Sequence, residues 1–355
     1  MRFCAALSVA TFHYSHLQTG IAYLLPFGWV GVEVFFVISG LVIANSAYGA
    51  TPRSFLISRF LRLYPAAWCA ALIGFPLLIA FKKMEPGGPL RLLNALVLFL
   101  PGDGLSHAYW TLPIEIAFYF LIYLLLRSGR FERNIQWIPR FLILWSAPYV
   151  MLAWFQHRGL LHSALLELSP GRRNIFLFRH GIYFGAGMLV WLMKEGKLNR
   201  IGYCFLGASV LLGTLEIDSN ALVPALDLHL MVYGLPVSGS SLSGLSIGAF
   251  LLAFAVVFLS AKWNRWFPKN EQLRKAVRCI GLVSYPLYLS HETVFRLLSP
   301  ICAHRLRNPI AGVLMMLFCA LCISLAISSW AEPLLRLQLK KILHPRSKNA
   351  LAVHS

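Results

Sequence analysis

Residues 27–49 read FGWVGVEVFFVISGLVIANSAYG, a run of 23 positions whose one charged side chain is Glu33. A bilayer's hydrocarbon core takes roughly 20 residues of helix, so this run is long enough to cross it. It is apolar on every face, which excludes an amphipathic surface helix. Working outward, similar windows lie at approximately 3 to 25, 65 to 81, 109 to 126, 138 to 156, 175 to 193, 201 to 217, 242 to 261, 280 to 303 and 310 to 331. Together they predict an all-α integral membrane protein, a bundle of about ten transmembrane helices. A further apolar stretch, Leu92 to Pro101, is too short to cross unaided and runs into Gly102-Asp103-Gly104, so it reads as re-entrant or interfacial.

Composition agrees with that reading. Of 355 residues, 58% are hydrophobic and 13% charged, too apolar to wrap a core in a wetted shell. A water-soluble enzyme, a secreted disulfide scaffold and a disordered chain are excluded. The net charge of +19 would suggest a nucleic-acid partner in a soluble chain. Here the charges sit between apolar runs, so they set topology and no nucleic acid is expected. The seven cysteines are odd in number, match no metal spacing and read as small buried packing residues; no metal is expected.

With the amino terminus in the cytoplasm, the inner segments hold Arg2; Arg53, Arg59 and Arg62; Arg127, Arg130, Arg133 and Arg140; Lys194, Lys197 and Arg200; the cluster from Lys262 to Arg278; and the tail from Arg336. Those are roughly 22 of the 32 basic residues, the bias of the positive-inside rule. Both termini are therefore expected in the cytoplasm. Asp218 and Asp227 fall in an outer loop, whereas Lys82, Lys83, Arg172 and Arg173 run against the pattern. Residues 1–332 form the expected transmembrane domain and 333–355 a basic cytoplasmic tail, too short for an appended soluble domain.

Ionisable groups inside spans are costly, so they persist mainly where they pair or work. The first span carries His13 and His16, the second Glu33, the fourth Glu115, and the ninth His291, Glu292 and Arg296. Arg2 and His13 are eleven positions apart, which brings them within about 20° of one helix face over a rise of roughly 16 Å. One stripe thus joins the inner mouth to mid-membrane, where an imidazole could take a proton from a hydroxyl. The spacing alone equally allows a helix-end Arg and a His bonded to a carbonyl. Glu33 enters from the outer side to a similar depth, either to hold that imidazole or as a neutral carboxyl bonded to a neighbouring helix.

The loop before the third span places Arg59 and Arg62 one turn apart, a spacing that suits phosphate oxygens or lipid headgroups. Trp110 reads as an interfacial anchor, and Glu115 could pair with an Arg or with substrate. In the ninth span Ser284, Tyr285, Tyr288 and His291 form a polar stripe of the kind that lines a cavity or a bundle interior. Ser39 and Gly40 permit close helix approach.

These segments, in this order, resemble the membrane-bound acyltransferase family 3, whose members O-acylate sugars of lipopolysaccharide, exopolysaccharide, peptidoglycan, nodulation factors and macrolides. The marks are the Arg2-to-His13 spacing, Gly31-Val-Glu33-Val-Phe-Phe-Val-Ile-Ser-Gly40, Arg59/Arg62/Pro65, Trp110-Thr-Leu-Pro-Ile-Glu115 followed by Phe118-Tyr119, and Ser284-Tyr285 through Tyr288 to His291, in a stretch that runs on to Glu332-Pro333. The resemblance implies a multi-pass protein of the bacterial inner membrane that takes an acyl group from acyl-CoA, acetyl-CoA by default, and passes it to a hydroxyl of a carbohydrate or glycolipid. It assigns Arg2, Arg59 and Arg62 to the donor's phosphates and His13 to the base or acyl relay. Glu33 and Glu115 complete the expected catalytic set, and no permanently bound cofactor is expected. Acceptor choice would reside in the outer loops, residues 156 to 174 and 218 to 241. The alternative from another class is a transporter or lipid-linked sugar flippase with proton-coupling residues, which would more naturally show inverted repeats.

Overall fold

The structure, a computed structural model, describes residues 1–15, 25–98, 104–161, 175–221, 239–263, 270–306 and 308–343. His16, Arg172, Arg173, Asp227, much of both outer loops and the end of the tail lie outside the described residues. Twelve helices are described: α1 Arg2–Ser15, α2 Gly31–Ala47, α3 Pro52–Ala80, α4 Gly88–Val97, α5 Leu112–Arg127, α6 Trp137–His157, α7 Gly181–Lys194, α8 Arg200–Asn220, α9 Gly239–Lys262, α10 Glu271–Arg305, α11 Pro309–Ala326 and α12 Glu332–Leu343. Among the described residues there is no strand.

Seven of the described helical segments are long and apolar enough to cross a membrane: Gly28–Ala47, Pro52–Ala80, His107–Arg127, Trp137–His157, Arg200–Asn220, Ser240–Lys262 and Pro309–Leu343. The expectation of about ten spans differs at three windows, each for its own reason. The first, expected to reach residue 25, is described as helix to Ser15 only. The sixth is a 14-residue helix, short for a full crossing. The ninth lies within the 35 residues of α10, whose basic first turns and polar stripe dilute its hydropathy. The short stretch near residue 92 is a ten-residue helix, as its length requires of a segment that does not cross. Large apolar side chains such as Leu72, Leu144, Leu211, Leu252, Leu314 and Phe318 stand on the outside, as in a bundle surrounded by lipid. Cys4, Cys204, Cys279 and Cys322 are exposed among them, so four of the seven cysteines are not the buried packing residues expected.

Local signals set the helix starts. Thr51, Asn199, Asn270 and Asn308 each accept a backbone N–H of the first turn, from Ser54, Gly202, Gln272 and Ile310. Thr51 caps a helix that runs unbroken for 29 residues through Pro65 and Pro76, so Arg59 and Arg62 lie within α3 rather than in a loop before it. Pro65 does not end the helix, because neighbouring helices in a bundle stabilise a span around a missing N–H.

The centre of the bundle is tightest where α2 crosses α7. A Cβ at Gly40 would collide with the backbone of Phe184, and one at Gly187 with the carbonyl of Val37. The close approach expected of Gly40 therefore exists, and Gly187 is its counterpart. α1 packs on α2 and on α10, which places the polar face of α10 against the face of α1 that bears His13.

Candidate active site

Three guanidinium groups gather at one end of the bundle. Arg2 lies over the Phe35 ring at 5.3 Å, Arg59 over Phe55 at 5.7 Å and Tyr119 at 5.9 Å, and Arg62 over Tyr285 at 5.6 Å. Aromatic faces attract cations at such distances, but by only about 0.5–2 kcal/mol each. Arg2 also feels the charges of Arg62 and Arg59, so like charges are crowded together. None of the three forms an ion pair among the described residues, and the Nε atoms of Arg2 and Arg59 are buried without a hydrogen-bond partner there. A carboxylate is near: Glu115 reaches Arg2 electrostatically. Its oxygen is held instead by the Tyr119 hydroxyl and by Ser39 Oγ at 3.2 Å. Crowded, half-buried, forked donors that form no close ion pair among the described residues are suited to an anion.

A pair of imidazoles stands deeper in the bundle. The rings of His13 and His291 are 5.2 Å apart. His291 is fully buried, and its Nδ1 lies 2.6 Å from the Tyr288 carbonyl. A carbonyl only accepts, so Nδ1 carries the proton and the Nε2 lone pair is free to accept one. That Nε2 has no hydrogen-bond partner among the described residues. The register of the two helices is fixed by Tyr14, whose hydroxyl donates to the His291 carbonyl at 2.8 Å while its ring stacks on Phe295.

Aromatic rings join the two groups. Phe35, beneath Arg2, stacks on Tyr288 at 6.0 Å, and Tyr288 lies 5.8 Å from His291. Beside this line Phe35, Phe36, Thr111, Glu115, Tyr285 and Tyr288 line a cavity of about 10 Å³, room for about one water. The Tyr285 hydroxyl is buried and unpartnered among the described residues, while Tyr288 accepts from Thr111 at 3.2 Å. Arg2 and His13 are thus joined by a line of rings that runs through α2 and α10. Of the expected cavity-lining residues, Tyr285 and Tyr288 line the cavity and His291 reaches His13. Ser284 donates to the Gly281 carbonyl of its own helix.

Glu33 belongs to a second polar cluster. It is buried, and the charges that face it are those of Glu216 and Arg179, which pair with each other. Tyr183 donates to Glu216 at 2.6 Å and Asn220 at 2.9 Å. Glu33 also reaches Tyr288 electrostatically, so the cluster borders the aromatic line. His180 is fully buried against Phe36 at 4.8 Å and Trp110 at 5.7 Å. Trp110 therefore turns inward rather than serving as a simple interfacial anchor. Arg179, His180 and Glu216 lie at the ends of their apolar windows, where charges read as topology signals. Their one distinguishing sign is that an acid and a base sit at matching depths. Glu292 accepts the Ala108 N–H at 3.0 Å and pairs with Arg296 at 2.7 Å, and Arg296 also meets Glu85 at 2.7 Å. These ions clamp α10 to the turn that carries Trp110.

The model of the acyltransferase domain family matches residues 1–329, from the guanidinium site through both histidines. The chain belongs to the membrane-bound acyltransferase 3 family. One curated relative, named "Putative membrane-bound transacylase BcsY" in Komagataeibacter xylinus, is 23% identical over 192 residues, 49% of this chain and 47% of that protein. The chain thus spans about half the length of the curated relative it matches. No solved structure matches. For a member of this acyltransferase family, the apolar helices and the match together describe a multi-pass membrane protein.

Proposed function

We propose that the protein transfers an acyl group, acetyl by default, from acyl-CoA to a hydroxyl of a carbohydrate or glycolipid acceptor at the bacterial plasma membrane, with both termini in the cytoplasm. The observation that carries this reading is the aromatic line between three guanidinium groups, which form no ion pair among the described residues, and the His13–His291 pair. Phosphates of the donor engage Arg2, Arg59 and Arg62, and the pantetheine arm enters along Phe35 and Tyr288. His13 removes the proton of the acceptor hydroxyl as its oxygen attacks the thioester carbonyl. The tetrahedral adduct then expels the CoA thiolate, which takes the proton back from the His13 imidazolium. One C–S bond is exchanged for one C–O bond. In the two-step form His13 is acylated first and passes the acyl group on.

Glu115 acts as a positioning residue for the guanidinium site through Tyr119 and Ser39. Glu33 does so for Tyr288 from the neighbouring cluster. The test is purified protein with radiolabelled acetyl-CoA and envelope glycans, following both thiol release and label in the glycan. His13→Ala is expected to lower transfer by about 10²- to 10⁴-fold at unchanged thermal stability. Near-normal transfer by a folded His13→Ala protein removes His13 from the chemistry. A burst of thiol release without acceptor selects the two-step form.

A further inference from the structure

At the end of the family-matched segment, a separate cavity opens near Arg62 of the guanidinium site. A π-helical turn, Ile327–Ala331, joins α11 to α12. Beyond it Glu332, Arg336 and Lys340 follow at four-residue spacing, so they share one helix face. With Ser328 and Leu337 of the same arm and Leu282 of α10, they line a cavity of about 240 Å³. The Glu332 side chain is 3% exposed and one of its oxygens accepts from Arg336. Its other oxygen, Oε2, and Arg336 Nε are both buried without a hydrogen-bond partner among the described residues. Lys340 is exposed and forms no ion pair among the described residues. The charge of Arg62 reaches Glu332, so this cavity adjoins the site that holds the donor's phosphates in the reading above.

Orphaned buried polar atoms are costly, and these two ask for opposite things. Arg336 and Lys340 offer N–H groups to an anionic oxygen, while Glu332 Oε2 needs an O–H or N–H. An inorganic anion without an O–H, such as sulfate, satisfies the first and is repelled by the second. A phosphorylated nucleoside satisfies both, through its phosphate and through a ribose hydroxyl or the adenine amine. We propose that this cavity holds the 3′-phosphoadenosine end of the acyl-CoA donor, with the 3′-phosphate on Arg336 and Lys340 and a nucleoside O–H or N–H on Glu332. The proposal rests on the acyl-CoA reading and extends it from the reacting end of the donor to its far end.

A phosphatidylethanolamine headgroup offers the same chemistry, a phosphate beside a donor, so the experiment separates the two sources. The full chain is placed in nanodiscs of phosphatidylcholine alone and of phosphatidylcholine with phosphatidylethanolamine. The probes are adenosine 3′,5′-bisphosphate and adenosine 5′-monophosphate, measured by equilibrium binding. The bisphosphate is expected to bind in both lipids and to weaken by about 10- to 100-fold in Arg336→Ala, with a smaller loss in Lys340→Ala. The monophosphate is expected to bind weakly and alike to all three proteins. Lys340 is exposed, so its variant reports even where Arg336→Ala fails to fold. Equal bisphosphate binding by wild type and variants, or none at all, overturns the proposal. So does phosphatidylethanolamine that abolishes nucleotide binding and co-purifies with wild type but not with the variants. Acyl transfer at an unchanged KM for acyl-CoA in both folded variants removes this site while leaving the acyltransferase reading intact. Bisphosphate binding that depends on Lys340 in a protein that moves no acyl group does the reverse.

Discussion

Arg62 stands between two cavities: its guanidinium covers the Tyr285 ring, and its charge reaches Glu332. A planar group stacked on an aromatic face, and in the proposed reading forked onto phosphate, is poorly replaced by an ammonium. Arg62→Lys is therefore expected to raise the KM for acyl-CoA by about tenfold and Arg62→Ala by more, with kcat less affected because the interaction is present before the transition state. Steady-state kinetics over a range of donor concentrations reads this directly, and a fall in kcat at constant KM would place Arg62 in the chemical step instead. The Arg2-to-His13 relation was legible in the sequence because both lie on one helix, where spacing alone fixes the face. The role of His291 was less so. Its free lone pair depends on the Tyr288 carbonyl, and its meeting with His13 depends on a hydrogen bond from Tyr14 across 277 positions.

At the scale of elements, the crossing of α2 and α7 positions Phe35, Phe36 and Glu33 on one side and His180 on the other. Gly187→Ala places a methyl group against the Val37 carbonyl with no flexible side chain to give way. It is expected to destabilise the protein by about 1–3 kcal/mol, read as a lowered melting temperature in detergent. Gly244→Ala and Gly248→Ala meet nothing within 4 Å and are expected to leave that temperature unchanged. Equal effects at all three glycines would mean that the crossing is not the tight point. Small residues at Ser39 and Gly40 announced a close contact, but no pattern in α2 could name Gly187 as its partner. Arg59 and Arg62 fell before an apolar window, and charge alone cannot distinguish a loop from the polar extension of a helix.

The whole molecule is sided. In the orientation proposed from the positive-inside bias, Arg2, Arg59, Arg62 and α12 face the cytoplasm and the end of α6 lies on the far face. In a cysteine-free background, Lys340→Cys is expected to react with a membrane-impermeant maleimide only after cells are opened, and Leu160→Cys in intact spheroplasts. The reverse labelling would invert the orientation and leave the guanidinium site away from cytoplasmic acyl-CoA. Hydropathy sufficed for an all-helical membrane protein. The helices nearest the site are the ones that hydropathy describes worst: α10 has its polar stripe and α7 its short length.

The small cavity bounded by Phe35, Tyr285 and Tyr288 has a consequence for the cell as well as for the reaction. A membrane that stores energy as a proton gradient cannot tolerate a standing hole lined with arginine and histidine. With space for about one water, this part of the resting protein holds no continuous file of solvent. In the proposed reading an arriving donor wedges those rings apart, which ties the opening of the cavity to the presence of the molecule that then fills it.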